Sequence, residues 1–315
     1  MIFVLTFRTK KPKYEEIHSE DDGHHGFSVQ KIRAHEEATK VKNIEKIELG
    51  RHTMDVWYFS PLPPEYAGYK KLYFCEYDLN FFVSREEMFR HLRKVRMQHP
   101  PGNEIYRHNG ISMFEVDGDE ATNYCKNLCV LAKMFLDHKS VECCINEFLF
   151  YVMCECDERG AHVVGYFSKE KAPTRKFNLS CILAIPAYQR RGYGKFLVSF
   201  SYELSKIEKK VGTPETPLSD MGQVTYNSHW ARTLCNILKE AKGPLSIKEL
   251  GDMTMFTEKD ITDTLKRLDL IRYIKGQPVL CAPIEKLDEH LKQCGSPGLP
   301  VEPQKIVWSP NPDFV

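Results

Sequence analysis

The sequence predicts a mixed α/β fold, and three observations support this prediction. Aromatic runs with turn-forming prolines between them, over 55–66 and 70–83, are typical of short strands. Two longer strand-like runs, FLFYVMCECD and AHVVGYFSKEK, are separated by ERG, which indicates a β-hairpin. Apolar residues at helical spacing in the segments between and after these runs predict α-helices.

Composition narrows the class of protein. The 315 residues can form one large or two modest domains, and 42% hydrophobic with 28% charged residues is typical of a globular protein. The 44 basic and 43 acidic residues leave a net charge of +1. A charge this small excludes attraction of nucleic acid or of a membrane surface by the overall electrostatic field of the protein. Because no run approaches the ~20 apolar residues of a membrane span, we expect a cytosolic or nuclear protein with reduced cysteines.

The first predicted units are a tail and a small aromatic subdomain. Residues 1–43 are polar and charged, which favours a tail without a core of its own. Residues 44–102 contain the aromatic strands and the helical segment SREEMFRHLRK. Ser84 in this segment is the expected N-cap, with Glu87 completing a capping box.

The next unit, residues 103–230, combines a helix with the hairpin. The helix is expected over 121–139, and a third strand, NLSCILAIP, follows the hairpin and stops at Pro186. A second helix begins after QRRGYGK, and its apolar stripe predicts one buried face. The stripe consists of Phe196, Leu197, Phe200 and Leu204.

Residues 231–315 form the last unit. This part is mainly helical, and RYIKGQPVLCAP is expected to form a two-stranded wing. Two short helices with a hairpin resemble a winged-helix unit.

The junction QRRGYGK stands where a strand ends and a helix begins. The first backbone N–H groups of a helix have no intrahelical partner, and glycines let an anion approach them. We therefore interpret the junction as a pyrophosphate site to which the arginines add charge. Neither GxxxxGK[ST] nor GxGxxG with a downstream acid is present, which disfavours nucleoside triphosphates and dinucleotides. The alternative is a strand-to-helix turn with solvated arginines.

The pattern Q/R-x-x-G-x-G/A is that of the acetyl-CoA loop in GNAT-type acetyltransferases, and further motifs extend this likeness. With WYFSPLPPEY, HPPGNEIYR, NLCVLAKMFLDHK, VGYFSKEK, YQRRGYGK, FSYELSK and TPETPLSDMG, the chain resembles the MYST family of histone acetyltransferases from about residue 40 onwards. The C-terminal LSIKEL and TEKDITDTLKRLDLIRYIKGQ resemble its males-absent-on-the-first branch. We expect no chromobarrel within the first 40 residues, because they are too few and too polar to form one. The resemblance implies a GNAT-like mixed-sheet core between a finger-like and a winged-helix-like subdomain.

The resemblance also implies roles for individual residues. Glu215 matches the family's general base, which deprotonates the substrate ammonium. Cys181 shares one strand face with Leu183 and Ile185, so the pattern alone predicts a core cysteine that points inward. The resemblance instead places it beside the acetyl group, either as a wall of the site or as a thiolate nucleophile. Lys139 matches a lysine that becomes autoacetylated, although a lysine in the last turn of a helix also simply complements the helix dipole. The expected acetyl-CoA contacts are Ile182, Leu183, Ala184, Gln189, Arg190, Arg191, Gly192, Tyr193, Gly194, Lys195, Ser219 and Ser228.

The chain departs from the family at its zinc finger. The pattern Cys-x2-Cys-x12-His-x3-Cys falls on Cys75, Asp78, His91 and Val95, and valine offers no ligand. Because a closed structural zinc site uses four ligands, we expect this finger to have lost its metal or to bind it weakly.

The leading functional hypothesis is a lysine acetyltransferase that uses acetyl-CoA and acts on histone tails, with histone H4 as the expected substrate. We expect the protein to act in the nucleus, with subunits of a chromatin-associated complex as partners. The alternative is a weak or inactive family member that serves as a complex subunit. A third reading, direct DNA binding by the winged-helix-like unit, is disfavoured because KELGDMTMFTEKDITDT is mixed in charge and lacks arginine.

Overall fold

The computed structural model of the protein describes residues 2–4, 41–137, 144–173, 175–274 and 277–312, which form four β-sheets and seven α-helices. This arrangement confirms the predicted mixed α/β class. The strands are β1 (Ile2–Val4), β2 (Lys46–Leu49), β3 (His52–Asp55), β4 (Lys71–Phe74), β5 (Phe81–Phe82), β6 (Asn103–His108), β7 (Ile111–Asp117), β8 (Phe148–Asp157), β9 (Gly160–Glu170), β10 (Phe177–Leu179), β11 (Cys181–Ala184), β12 (Thr213–Pro214), β13 (Ile271–Ile274) and β14 (Gln277–Cys281). The helices are α1 (Arg85–Leu92), α2 (Thr122–Lys133), α3 (Tyr193–Glu208), α4 (Asp220–Glu240), α5 (Ile247–Thr254), α6 (Glu258–Arg267) and α7 (Ile284–Gln293).

The finger-like unit is a four-stranded sheet, β3-β2-β4-β5, with α1 beside it. The pair β2–β4 is parallel and the other pairs are antiparallel. Alternate residues of β4, Leu72 and Phe74, are buried, as expected for a strand with one face on a core. Ser84 caps α1 as predicted, since its hydroxyl accepts a hydrogen bond from the Glu87 amide at 3.2 Å.

The central sheet carries the main core. Its order is β11-β9-β8-β7-β6, and every neighbouring pair is antiparallel. Helix α3 packs on β9 and β11, and the predicted apolar stripe of this helix is buried throughout. The burial of this stripe fixes the direction of α3, and therefore the position of its N-terminus at the end of β11.

A buried histidine joins the finger-like unit to the central sheet. His162, on β9, contacts the Glu76 carboxylate through Nδ1 at 2.7 Å and the Asp157 carboxylate through Nε2 at 2.8 Å. Burial lowers the pKa of His162, but the hydrogen bonds to Asp157 and Glu76 outweigh burial and raise this pKa above its usual value. Tyr77 Oη also donates to the carbonyl oxygen of Arg159 at 2.8 Å. The β8–β9 turn is thereby attached to the finger.

The C-terminal unit has its own core around α4, α5, α6 and the β13–β14 hairpin. Its sheet has the order β1-β14-β13, so the predicted two-stranded wing has a third strand. That strand, β1, comes from the segment that was expected to be a polar tail. Helix α4 also continues across residue 230, where a unit boundary was expected. Within the described residues, no helix combines the length and apolar character that crossing a membrane requires.

Candidate active site

A short parallel strand pair brings Glu215 close to Cys181. Strand β12 pairs with β10, with Pro214 opposite Leu179. The Glu215 amide then donates to the Leu179 carbonyl oxygen at 2.8 Å, while its side chain is exposed to solvent. Cys181 lies two residues beyond Leu179 along the same chain segment. The backbone of Glu215 is therefore held at the end of β10, two residues before Cys181.

Cys181 begins β11 and is partly exposed. Its amide donates to the Ser168 hydroxyl at 3.2 Å, and Ser168 is its register partner on β9. The sequence pattern alone favours a core cysteine that points inward. Its partial exposure agrees better with the wall or nucleophile position that the resemblance implies.

A second carboxylate, which the sequence reasoning did not single out, lies near enough to Glu215 for the two negative charges to repel each other. Glu170 is the last residue of β9. Burial, together with the nearby charges of Glu215 and Glu147, raises the pKa of Glu170, whereas Arg175 opposes this rise. The surroundings of Glu215 are therefore acidic, which favours a cationic substrate. The only sequence signal for Glu170 was its position at the end of a long hairpin strand.

The expected cofactor loop connects β11 to α3. A 3-10 turn over Pro186–Tyr188 ends β11, and the Gln189 side-chain amide donates back to the Ala184 carbonyl oxygen at 3.2 Å. Gly192 follows with φ of 93° at the N-cap of α3. This positive φ favours glycine, because it costs an L-residue strain. No side chain of the described residues caps the N-terminus of α3, so its first amide groups are available to an anion.

The arginines of the loop frame this helix end. Arg190 and Arg191 are both exposed, and the Arg191 guanidinium lies 5.3 Å from the centre of the Tyr188 ring. Tyr193, in contrast, is buried, and its hydroxyl donates to the Glu155 carboxylate. Burial and this hydrogen bond raise the pKa of Tyr193 to about 12. Tyr193 therefore anchors the first turn of α3, and the Arg191 side chain interacts with it, while both arginines remain exposed at this end of the helix.

The strand that precedes the loop offers backbone groups for an extended ligand. Strand β11 is the edge of the central sheet, and the Ile185 amide donates to Val164 on β9. Because hydrogen-bonding direction alternates along an antiparallel strand, the backbone groups of Ile182 and Ala184 point away from β9. Leu183, between them, is buried.

The position of Gly194 is open to a ligand. A Cβ atom added to this residue would meet no atom within 4 Å. Because α3 also begins without a side-chain cap, an anion can approach the first amide groups of the helix.

The remaining predicted residues fall into different surroundings. Ser219 is the N-cap of α4, where its hydroxyl accepts from the Gly222 amide at 3.1 Å. Lys195 Nζ donates to the carbonyl oxygen of Cys294 at 3.1 Å, and the Ser228 hydroxyl donates to that same oxygen at 3.0 Å. Lys139 lies outside the described residues.

Comparison with known proteins identifies the family of the chain. The model of the MOZ/SAS family matches residues 99–306, which contain the central sheet, the loop and Glu215. The chain belongs to the MYST family. Enzymes of this family are acetyl-CoA-dependent lysine acetyltransferases with a GNAT-like core, and the MYST chain described here is a histone acetyltransferase of the same kind.

Curated relatives support this assignment. The chain is 56% identical over 303 residues to the putative MYST-like histone acetyltransferase 1 of Oryza sativa subsp. japonica, covering 96% of this chain and 67% of the relative. It is 55% identical over 306 residues to the histone acetyltransferase of the MYST family 2 of Arabidopsis thaliana, covering 97% and 68%. It is 43% identical over 311 residues to the histone acetyltransferase MOF of Drosophila melanogaster, covering 96% and 38%. The predicted likeness to the males-absent-on-the-first branch is thereby confirmed.

The MYST family zinc finger domain matches residues 41–94, yet the donor set of this chain is one ligand short. The donor atoms of Cys75, Asp78 and His91 lie within 4.8 Å of one another, and the fourth position is Val95. His91 Nε2 contacts the Asp78 carboxylate at 2.7 Å, and the Asn80 side chain donates to the same oxygen at 2.9 Å.

The fourth position decides whether the family's site can form. Cys75 is buried, and burial raises the pKa of its thiol to about 12, although backbone hydrogen bonds lower it. Cys75, Asp78 and His91 supply three donor atoms, and the Val95 side chain supplies none. These residues therefore do not fit the closed four-ligand zinc site of the family, and the hydrogen bond between Asp78 and His91 joins the two ends of the finger directly.

Proposed function

We propose that this MYST acetyltransferase transfers the acetyl group of acetyl-CoA to lysine side chains of histone H4 tails, with Glu215 as general base. The observation that carries the proposal is the hydrogen bond that attaches the Glu215 backbone to Leu179, two residues before Cys181, in a fold whose helix α3 begins without a side-chain cap. In this arrangement an exposed carboxylate stands near the position expected for the thioester. The choice of histone H4 rests on the likeness to MOF.

The proposed chemical step is direct transfer. Glu215 takes a proton from the substrate ammonium, and the neutral amine then attacks the thioester carbonyl carbon. A backbone N–H at the edge of β11, from Ile182 or Ala184, stabilises the negative charge on the carbonyl oxygen. The C–S bond breaks, the attacking nitrogen loses its second proton as the amide forms, and the coenzyme A thiolate leaves and takes up that proton. The N–H groups of these two residues point away from β9, which supports this role.

Three features are proposed to bind the two substrates. The amide groups at the start of α3 and the side chains of Arg190 and Arg191 hold the pyrophosphate. The backbone of residues 182–184 binds the pantetheine chain. Glu170 and its acidic neighbours favour a lysine-rich peptide over an acidic one, because they attract its positive charge.

The biological setting follows from the substrate. Because histones are packaged in chromatin, we propose that the protein acts in the nucleus together with subunits of a chromatin-associated complex. Autoacetylation of Lys139 is part of this proposal, and it rests on the family motif alone.

The proposal is tested by acetyl transfer from labelled acetyl-CoA to a histone H4 tail peptide. Glu215→Gln should lower kcat by at least about a hundredfold, since general-base catalysis contributes about that much or more, and it should leave acetyl-CoA affinity unchanged. Glu240→Gln, at the exposed end of α4, is the matched control and should behave as the wild type. Cys181→Ser should keep most of the activity if transfer is direct.

Two outcomes would contradict the proposal. Full activity of Glu215→Gln would exclude Glu215 as the base. Acetyl-CoA binding without transfer to H4 or to other histone peptides, even with a partner extract, would favour an inactive complex subunit.

A further inference from the structure

The segment Cys294–Trp308, here named the C-terminal strap, runs from the end of α7 to the far edge of the central sheet. At that edge the Val307 amide donates to the Ile105 carbonyl oxygen at 2.8 Å, and Ile306 forms a β-bridge with Tyr106. Trp308 Nε1 donates to the Glu115 carboxylate at 2.7 Å. One end of the strap is therefore fixed to the β6–β7 hairpin.

The other end of the strap packs against the cofactor loop. A Cβ atom added to Gly192 would lie 3.0 Å from the Leu299 nitrogen and 3.1 Å from the Gly298 Cα. A Cβ atom added to Gly298 would lie 3.0 Å from the Lys195 Cβ. The two glycines thus let the backbones of the strap and the loop come into direct contact.

Three side chains from two helices hold this end of the strap. Lys195 Nζ, on the first turn of α3, donates to the carbonyl oxygens of Cys294 at 3.1 Å and Ser296 at 2.5 Å. The Ser228 hydroxyl, on α4, donates to Cys294 at 3.0 Å. The Arg232 guanidinium, one turn further along α4, donates to the Gly295 carbonyl oxygen.

The positively charged side chains of Lys195 and Arg232 meet carbonyl groups of the strap that carry partial negative charge. The carbonyl groups that accept these bonds lie at the C-terminal end of α7, where the helix dipole places partial negative charge. Burial lowers the pKa of Lys195, and the neighbouring Arg232 lowers it further. The two cations are therefore crowded together and partly removed from water, and the strap carbonyls are their hydrogen-bond acceptors.

We propose that the strap is a positioning element for acetyl-CoA, which holds the cofactor loop and the start of α3 in the conformation that binds pyrophosphate. Arg232, Ser228 and the side chain of Lys195 act through the strap, while the backbone of residue 195 remains available to the phosphate. This inference rests on the proposed use of the loop for acetyl-CoA. It gives the side chains of Lys195 and Ser228 a role other than the direct cofactor contact that the family resemblance implies, and it adds Arg232, which no sequence motif indicated.

The first experiment uses Arg232→Met, because Arg232 contacts the strap and lies outside the loop. The Kd and KM for acetyl-CoA should rise about tenfold, as expected for a lost hydrogen bond from a charged group, while kcat stays within about twofold. Arg232→Lys should restore most of the affinity, since a lysine ammonium also donates to carbonyl oxygens.

Lys239→Met is the matched control for the loss of a cation from α4. It removes an exposed ion pair between the same two helices, α4 and α7, without touching the strap. Its Kd for acetyl-CoA should equal that of the wild type. An unchanged Kd in Arg232→Met, with wild-type binding intact, would overturn the role of the strap and leave the proposed function standing. Wild-type protein that does not bind acetyl-CoA would overturn the proposed function instead.

A double-mutant cycle separates positioning from direct phosphate contact. If Lys195 and Arg232 both act through the strap, the Kd of Lys195→Met/Arg232→Met should be close to that of the weaker-binding single variant. If Lys195 contacts phosphate itself, the two fold-changes should multiply, and that result would overturn its assignment to the strap. Should Arg232→Met fail to fold, Ser228→Ala takes its place in the cycle, with a smaller expected rise of about threefold in Kd.

Discussion

Replacing Gly194 by valine is expected to weaken acetyl-CoA binding without destabilising the protein. Gly194 is the second residue of α3, its φ lies outside the left-handed region, and an added Cβ would meet no protein atom within 4 Å. Valine has a slightly better helix propensity than glycine. The free energy of unfolding should therefore change by less than about 0.5 kcal/mol.

The size of the binding effect follows from the hydrogen bonds at the helix end. The valine side chain would occupy the open volume in which the pyrophosphate is expected to approach the first amides of α3. A hydrogen bond to a charged group contributes about 1.5–3 kcal/mol, and 1.4 kcal/mol is a factor of ten in affinity. The loss of one such bond therefore raises the Kd for acetyl-CoA by about 10- to 100-fold.

The assay is isothermal titration with acetyl-CoA, beside thermal unfolding of the same samples. Gly194→Ala, which the loop pattern Q/R-x-x-G-x-G/A accepts, should show a much smaller change in Kd. Gly243→Val is the matched control, because Gly243 also has no neighbour within 4 Å of an added Cβ but lies between α4 and α5. An unchanged Kd in Gly194→Val, or an equal loss in Gly243→Val, would refute the location of the pyrophosphate.

Three further predictions concern other parts of the fold. Asp78→Cys with Val95→Cys completes four zinc donors, so this double variant should retain about one zinc ion per chain by elemental analysis. Stoichiometric zinc in the dialysed wild type would contradict the prediction that this finger has lost its metal or binds it weakly. Lys169→Met leaves the Glu208 carboxylate, whose side chain is only 11% exposed, without its partner and should cost about 3–5 kcal/mol in denaturant unfolding, most of it recovered by adding Glu208→Leu. A cost below about 1 kcal/mol would mean that the pair behaves as a solvated one. Because the pKa of His162 is raised in the folded state, its contribution to the free energy of unfolding should be complete below about pH 6.5 and should be lost as pH rises through the folded-state pKa. If the free energies of unfolding of wild type and His162→Gln differ by the same amount at every pH, this prediction is contradicted.

The sequence by itself determined the local elements and the family. The periodicity of Phe196, Leu197, Phe200 and Leu204 predicted the buried face of α3, and the structure has that face buried. Ser84 was identified as a helix cap from its neighbours alone. Such features depend on interactions within one or two turns of chain, so a linear pattern contains the information that they need. The MYST family was also indicated by the sequence alone, because many of its motifs occur in the same order along this chain.

Only the tertiary structure decided how distant residues meet. The anchoring of Glu215 at Leu179, the acidic neighbour Glu170 and the contact of Lys195 with the C-terminal strap all join residues that are far apart in the chain. The pairing of β1 with β14 is of the same kind. These contacts depend on how the sheets and helices pack, and packing is set by the three-dimensional fit of many side chains, which no local period records.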